Sequence, residues 1–548
     1  MTQQPATPTL THPTSNFPFA PLAGILLLAF LARCLLAART DLWLDEACSD
    51  LFITDPRGIL QALRIDVHPP LYFLILKAWT SLLGDSPLAV RFPSILAGTA
   101  SVAATVLFAR RLGAVPRTLL WTAALVTVVP MQVAHSSEAR AYPFLYLFVT
   151  LALWSWVNAV ESGRWRDWLL HALTVLLGIY THHLMCPMLA TFWIAAMLQR
   201  LDRRRWLQMC VTYFLIALLA LPSVALLLSQ NHATHGEDWV ADGWNSHPHL
   251  LFLLHSLEAL GTTGYIVLGD RSVSSLIYQI LGLAASFAAL FVLIPRPTLA
   301  SKSAPLEMRT YMPLLLTAAL WPILFLWTYS EFRQPLFVYG RYDIIAQPAI
   351  LILLSLGLSR LQSLTIHRFG KAAGACLLLA VLLPTAWHSI AEPELQVVNH
   401  GPGLFSKRME VLQSLHRPGD QVIGLDLEYA PLLYAMNQEH LDLPLQSFPA
   451  DVREHPGWMI GDQQLQSELP KLEAQAVRFF SSKEAPSRIF VALDTRLAVP
   501  PVGVPISPRT KLTLFFFDQA RKAGYHFNKP SPKVTDDLIR AQLAFLEK

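Results

Sequence analysis

Long apolar runs constrain the fold of this chain more than any other feature of its sequence. Many stretches approach the roughly 18–20 consecutive apolar residues that an α-helix needs to cross about 30 Å of hydrocarbon. Charged residues make up only 15% of the 548 residues, whereas soluble domains carry roughly 25%. The sequence therefore predicts an α-helical polytopic membrane protein, and its net charge of +4 is too small to indicate a nucleic-acid partner.

The positions of these runs predict about eleven transmembrane helices. Their predicted bounds are 19–38, 88–109, 118–135, 141–160, 167–181, 184–199, 206–228, 274–294, 311–329, 342–359 and 372–390. The run 69–83 is shorter and carries Lys77 and Trp79, which favours an amphipathic helix lying in the membrane interface. The segment 249–268 is ambiguous between an interfacial helix and a span.

Lys and Arg residues of the short loops are concentrated in every second loop. By the positive-inside rule, those basic loops lie in the cytoplasm. The enlarged first loop, 39–87, then lies outside the cytoplasm. Residues 1–18 are rich in Pro, Thr and Ser, so we expect a disordered cytoplasmic tail, followed by an uncleaved first span.

The segment 392–548 differs from the membrane domain 19–391 in having ordinary charge density. Strand-like runs at 421–425 and 489–493 and an apolar run at 512–517 predict a soluble α/β domain on the extracytoplasmic side. About 155 residues can bury a core alone. The five cysteines show neither pairing nor metal-ligand spacing, so no disulfide framework is predicted.

Unusual polar residues collect at the span ends on the predicted external face. They are Asp45, Glu46, Asp66, His68, His135, Glu138, Arg140, Tyr142, Tyr180, Thr181, His182, His183, Glu331, Arg333, Tyr339, Arg341, Tyr342 and Asp343. Arg suits phosphate oxygens, and a fixed carboxylate suits general-base work. Their shared face predicts a site for an anionic, lipid-linked substrate.

Each of these residues also has an ordinary structural interpretation. Asp45 and Glu46 could be solvated loop acids, and His68 could cap the interfacial helix before its two prolines. Glu138 and Arg140 could form an ion pair that tightens a turn. His182 and His183 could pack at the interface, and Arg341 could anchor a span end at the headgroups. The shared face, and no single residue, carries the functional prediction.

Five sequence elements resemble bacterial family 39 membrane glycosyltransferases, relatives of protein O-mannosyltransferases and of the aminoarabinose transferase that acts on lipid A. They are Trp43-Leu-Asp45-Glu46-Ala, His68-Pro-Pro-Leu-Tyr-Phe, Gly84-Asp85 with Val90-Arg91-Phe-Pro-Ser94, His135-Ser-Ser-Glu138-Ala-Arg140-Ala-Tyr142, and Tyr180-Thr-His182-His183. The resemblance covers about residues 20–200, touches 339–343 weakly and ends before the carboxyl-terminal segment.

This resemblance implies a GT-C fold, in which a multi-span bundle carries an enlarged first external loop with interfacial helices. Such enzymes transfer a sugar from a polyprenyl phosphate, with inversion, to a hydroxyl outside the cytoplasm. The family's acidic pair falls on Asp45 and Glu46, with Asp45 as the expected base and Glu46 as a contact for the acceptor or a cation. The aminoarabinose enzymes have a Lys-Pro-Pro motif at the position where this chain has His68 followed by two prolines. Histidine is only partly charged near neutral pH.

The expected site follows from the residues and the resemblance together. Asp45 and Glu46 are the expected catalytic residues, and no cofactor is required. A divalent metal could be held by Asp45 and Glu46 with the nearby histidines, although no ligand spacing demands one. The expected contacts to the donor phosphate and substrate are His68, Glu138, Arg140, Tyr142, His182, His183, Arg341 and Tyr342. The expected partners are a polyprenyl-phosphate-linked sugar, membrane lipids, and a lipid, glycan or protein acceptor, at a bacterial inner membrane.

Other functions stay open from the sequence alone. A related lipid-linked oligosaccharide polymerase or ligase would have a similar architecture. A lipid flippase or transporter would place ionisable groups near the bilayer midplane in repeated halves, and no repeat is found. An inactive scaffold would not need both acids.

Overall fold

A computed structural model describes residues 17–39, 41–233, 248–261, 306–391, 404–453, 462–481, 485–493, 508–528 and 531–548, with the isolated positions 240, 244, 245 and 286. The membrane part of these ranges is helical. Its helices are α1 Phe19–Ala37, α2 Leu44–Thr54, α3 Ile59–Ala62, α4 Leu71–Leu83, α5 Pro87–Arg111, α6 Pro116–Val128, α7 Pro130–Ser136, α8 Tyr142–Ser162, α9 Trp165–Thr181, α10 Met185–Gln199, α11 Arg203–Ala233, α12 His249–Leu260, α13 Leu306–Phe332 and α14 Gln347–Ala391. Short 3₁₀ turns lie at Leu63–Ile65 and Tyr342–Ala346.

Six of the described helices are long and apolar enough to cross a membrane, or seven if the bent pair α6–α7 counts as one span. The chain is a multi-pass membrane protein. Helices occupy the predicted spans, except that the span 274–294, apart from the isolated position 286, and the end of the segment 249–268 lie outside the described residues. The last two predicted spans form one element, α14, interrupted at Gly370 with φ 87°.

The predicted single span 118–135 is broken, and its prediction as one helix was wrong. Helices α6 and α7 meet at an angle of 55°, because Pro130 has no N–H to donate to the carbonyl of Val126. The buried Arg33 of α1 supplies donors instead, with Nη2 3.1 Å from Val126 O and Nη1 3.5 Å from Thr127 O. Gly98 of α5 permits the close approach of α7, since a Cβ at Gly98 would lie 2.1 Å from the Oγ of Ser136.

The segment between α1 and α5 folds as a small helical layer over the end of the bundle. Helices α2, α3 and α4 share an apolar core in which Phe52 and Phe73 meet edge to face at 5.6 Å. At 13 residues, α4 is shorter than a span. Ala430 and Tyr434, from the carboxyl-terminal region, complete the same core.

The carboxyl-terminal region forms a five-stranded sheet flanked by helices. Its strands are β1 Gln421–Leu425, β2 Leu445–Phe448, β3 Arg488–Ala492, β4 His526–Phe527 and β5 Leu543–Glu547, in the order β2-β1-β3-β5-β4. Its helices are α15 Leu404–Leu415, α16 Tyr429–Gln438, α17 Asp462–Ser481, α18 Pro508–Lys522 and α19 Pro532–Arg540. Strand β1 pairs in parallel with β2 and β3, whereas β5 is antiparallel to β3 and β4.

The sheet confirms the predicted fold class, a helical membrane protein with an α/β region at its carboxyl terminus. The strand-like runs 421–425 and 489–493 correspond to β1 and β3. Helix α16 connects this region to the first loop, because the hydroxyl of Tyr434 donates to the carbonyl of Asp85 at 2.7 Å. The backbone N–H of Phe405 also donates to the carboxylate of Asp41 at 2.9 Å.

Candidate active site

The first turn of α2 presents Asp45 at the end of the bundle, where two arginines meet its carboxylate. Oδ2 of Asp45 accepts a hydrogen bond from Arg341 and lies 3.5 Å from Nη2 of Arg140. Arg140 also donates to the backbone carbonyl of Asp45 at 3.3 Å. The three residues come from α2, the turn before α8 and the turn before the 3₁₀ segment Tyr342–Ala346, so the fold joins three distant parts of the chain here.

The charge balance around Asp45 favours its ionised form. Burial raises the pKa of its carboxyl group, but the charges of Arg140 and Arg341 outweigh that effect and hold the pKa below its usual value. The side chain of Asp45 keeps 22% of its surface exposed. The site therefore offers a charged and accessible carboxylate between two cations.

His68 extends this cluster away from Asp45. Its Nδ1 lies 2.7 Å from Oδ2 of Asp66, and its Nε2 lies 3.2 Å from Nη2 of Arg140. Because a guanidinium can only donate, Nε2 is the acceptor of that bond and Nδ1–H donates to Asp66. Burial raises the pKa of Asp66, but His68 outweighs it and the pKa falls to about 2.

Glu46 points in a different direction from its neighbour and is fully buried. Arg91 donates to both carboxylate oxygens, from Nε at 2.7 Å and from Nη2 at 2.6 Å. The backbone N–H groups of Ala139 and Trp43 donate to the same oxygens at 2.7 Å and 3.2 Å. The expected contact of Glu46 with an acceptor or cation does not fit this geometry, because the carboxylate is 0% exposed and is filled by four protein donors.

The buried pair fixes the geometry around Asp45. Glu46 joins α2 to α5 through Arg91, and it joins α2 to the turn carrying Arg140 through the N–H of Ala139. Sequence reasoning missed this role of Arg91. An arginine inside an otherwise apolar span is the signal that could have found it, since such a residue needs a partner.

Glu138 lies beside a histidine, and the alternative ion pair with Arg140 is not observed among the described side chains. Oε2 of Glu138 lies 3.6 Å from Nδ1 of His135. Nε2 of His135 lies 3.0 Å from the carbonyl of Gly340, in the turn that leads to Arg341. The carboxylate of Asp343 accepts from the N–H of Gly340 at 3.1 Å and from Ser256 at 2.5 Å. Glu138 therefore lies next to the histidine that bonds to the turn carrying Arg341.

Aromatic rings lie beside Arg341 and around His182. The guanidinium of Arg341 lies 5.5 Å from the ring centroids of Trp43 and Tyr142. The ring of Tyr142 lies 5.5 Å from that of His182, which lies 6.1 Å from Tyr342. Three of the expected substrate contacts, Tyr142, His182 and Tyr342, therefore lie together near Arg341.

The two adjacent histidines have different surroundings. The ring of His182 also lies 5.5 Å from that of His68. His183 instead neighbours Gln230 of α11, and its pKa is lowered to about 4, chiefly by burial. The structure thus brings His182 to the site with Asp45, whereas His183 lies against α11.

A metal site is not formed by the described residues. No group of three or more His, Cys, Asp or Glu side chains within the described ranges is arranged to hold an ion. The two acids proposed as ligands are separated in their contacts, since Asp45 faces Arg140 and Arg341 while Glu46 is enclosed by Arg91.

Comparison with known proteins supports a glycosyltransferase. Residues 67–229 match the model of a family described as dolichyl-phosphate-mannose-protein mannosyltransferase, which confirms the resemblance to family 39. No curated protein sequence matches this chain.

Solved structures of membrane glycosyltransferases share the fold. ArnT from Cupriavidus metallidurans bound to undecaprenyl phosphate aligns with a TM-score of 0.58 at 11% identity, over 96% of this chain and 97% of that one. ArnT from the same organism in the apo state gives 0.54 at 12% identity, over 88% and 94% of the two chains. The oligosaccharyltransferase of Archaeoglobus fulgidus, tethered with an acceptor peptide, gives 0.52 at 11% identity, over 93% and 73%. These likenesses confirm the predicted GT-C fold.

Proposed function

We propose that this GT-C protein is an inverting glycosyltransferase that moves a sugar from a polyprenyl-phosphate donor to an acceptor hydroxyl on the external face of the membrane. The observation that carries the proposal is the placement of the partly exposed carboxylate of Asp45 between Arg140 and Arg341. A carboxylate can take a proton and two guanidinium groups can hold a phosphate, and such a transfer needs both of these functions.

In the proposed reaction, Asp45 takes the proton of the acceptor hydroxyl as its oxygen attacks the anomeric carbon. The bond between that carbon and the phosphate oxygen breaks, and its electron pair leaves with the polyprenyl phosphate. The leaving phosphate gains one negative charge in this step. Arg140 and Arg341 would stabilise that charge, and a well-placed donor of this kind contributes about 3–4 kcal/mol to lowering the barrier.

The same arginines would also control the strength of the base. In the described arrangement their charges hold the pKa of Asp45 below its usual value. A donor phosphate that engages Arg140 and Arg341 would draw their hydrogen bonds away from the carboxylate. The pKa of Asp45 would then rise toward the range in which a carboxylate accepts a proton more readily.

The remaining site residues would hold the reacting groups in place. Glu46 would hold the first turn of α2 against Arg91, and His68 would orient Arg140 while bonded to Asp66. The resemblance to family 39 and the alternation of basic loops support a bacterial inner membrane, with a cytoplasmic amino terminus and an external carboxyl-terminal domain.

The test is Asp45→Asn in the full-length protein reconstituted in lipid vesicles. Labelled undecaprenyl-phosphate sugars would be supplied, with membrane extract of the source organism as acceptor. Loss of a general base lowers turnover by about 10²- to 10⁴-fold, while binding of sugar-free undecaprenyl phosphate should persist because both arginines remain.

Asp55→Asn is the matched control, because Asp55 lies in the same loop and pairs only with the solvent-exposed Arg57 among the described ion pairs. Near-normal turnover of Asp45→Asn at normal abundance would remove Asp45 from the mechanism. Movement of the labelled donor across the bilayer without loss of its sugar would show a flippase instead.

A further inference from the structure

The turn between α9 and α10 fixes the proton position of His182. The backbone N–H of Leu184 lies 3.2 Å from Nδ1 of His182 and can only donate to it. Nδ1 is therefore an acceptor, and the single ring proton of the neutral imidazole lies on Nε2. His182 presents an N–H donor from that atom.

His182 is also held in its neutral form. Its residue surface is 8% exposed, and burial is the largest of the effects that lower its pKa well below the usual value. Arg140 and Arg341 act in the same direction. The Nε2–H of His182 is thus an uncharged donor throughout the neutral pH range.

This donor has no hydrogen-bond partner among the described residues. Nε2 of His182 is buried and unpaired, and leaving such a group unsatisfied destabilises a protein appreciably. The ring lies within 5.5 Å of the rings of His68 and Tyr142, and 6.1 Å from that of Tyr342. His68 in turn contacts Arg140, so the unpaired donor lies one side chain from the cations around Asp45.

We propose that Nε2–H of His182 donates a hydrogen bond to a hydroxyl oxygen of the transferred sugar, between the rings of Tyr142 and Tyr342. This inference rests on the proposed transferase function and adds a specificity-determining contact to it. The two arginines supply the positive charge that a phosphate needs, whereas an uncharged donor beside aromatic rings matches the polar edge and apolar face of a sugar ring. A protonated amino group at that position could not accept the bond, so the donor sugar carries a hydroxyl there.

The experiment compares His182→Phe with the wild-type protein in vesicles. The phenyl ring preserves shape and removes the donor. We expect kcat/KM for the undecaprenyl-phosphate sugar to fall about 10- to 100-fold, which is the loss of one buried hydrogen bond to substrate. The affinity for sugar-free undecaprenyl phosphate should stay within about twofold, because the arginines that bind phosphate are unchanged.

Monodeoxy donor sugars identify the hydroxyl. The donor that lacks the contacted hydroxyl should be a poor substrate for the wild-type protein but should be no worse than the parent sugar for His182→Phe. His182→Gln keeps a side-chain N–H donor and should recover part of the lost rate, which a purely structural role would not predict. His367→Phe, at an exposed position of α14, is the matched control.

Three results would overturn the inference. They are unchanged kcat/KM in His182→Phe, an equal loss of affinity for sugar-free undecaprenyl phosphate, and additive effects of the variant with every deoxy sugar. The second result would assign His182 to the phosphate. Failure of the wild-type protein to discharge any polyprenyl-phosphate sugar would instead refute the proposed transferase function. In that case Asp45→Asn and the wild-type protein would both show no turnover.

Discussion

The pair of Glu46 and Arg91 gives a quantitative prediction for stability. Arg91 is 1% exposed and Glu46 is 0% exposed, so Arg91→Met leaves a buried carboxylate without its counter-charge. Two of the four hydrogen bonds to that carboxylate come from backbone N–H groups and remain. Removing one partner of a buried ion pair costs about 3–5 kcal/mol, and we expect a loss of free energy of unfolding in that range.

The double variant separates charge from packing. In Glu46→Gln the guanidinium of Arg91 keeps its bonds to the carbonyls of Ala37 at 2.6 Å and Asp41 at 2.7 Å. When Arg91→Met is combined with Glu46→Gln, no buried charge is left unpaired. The double variant should therefore be more stable than Arg91→Met alone, by roughly 1–3 kcal/mol, because the penalty for an unpaired buried charge is removed.

Unfolding by titration with sodium dodecyl sulfate in mixed micelles, followed by circular dichroism, measures these differences. Arg57→Met is the control, because Arg57 pairs with Asp55 in the same loop but its side chain is 46% exposed, and it should cost below about 1 kcal/mol. A loss below about 1 kcal/mol for Arg91→Met, or a double variant less stable than Arg91→Met alone, would refute the assignment of a structural role to this pair.

Two further predictions concern buried charge elsewhere. Burial, together with Asp85, raises the pKa of Asp50 to about 7 from 3.8, so the folded state binds one more proton than the unfolded state between about pH 4 and 7. The free energy of unfolding should therefore fall as pH rises through that window. Asp50→Asn should weaken this pH dependence and stabilise the protein at pH 8. An unchanged dependence of the free energy of unfolding on pH in the variant would contradict this. Arg33→Met leaves the carbonyls of Val126 and Thr127 without their donors and should cost about 1–3 kcal/mol in the same assay, whereas equal stability would show that the break between α6 and α7 does not need the guanidinium.

The sequence predicted the helices well wherever an apolar run ends at a capping or helix-breaking residue. Helix α5 begins at Pro87 behind Ser86, and α8 ends at Gly163, which has φ 60°. The prediction failed at 118–135, because it followed the apolar pattern through Pro130, whose missing N–H leaves the carbonyl of Val126 without its helical donor. The contact that compensates comes from Arg33, 93 residues away, and no local signal reports it.

The site was predictable as a set of residues on one face but not as a set of contacts. Asp45 and Glu46 are adjacent, and adjacency suggested a shared role. Successive side chains on a helix are separated by roughly 100°, so Asp45 faces the arginines of the site while Glu46 faces Arg91. The tautomer of His182 could not be inferred either, because it depends on the backbone N–H of Leu184 in a turn whose geometry the sequence does not state.

The contact between Asp45 and Arg341 spans 296 positions of the chain, and that between Asp41 and Phe405 spans 364. During synthesis, the acid therefore emerges from the ribosome long before its second cation and before the helix that steadies its loop. Such late, long-range closures are slow steps in folding. The cluster around Asp45 is thus incomplete until the chain has been synthesised past residue 341 of 548.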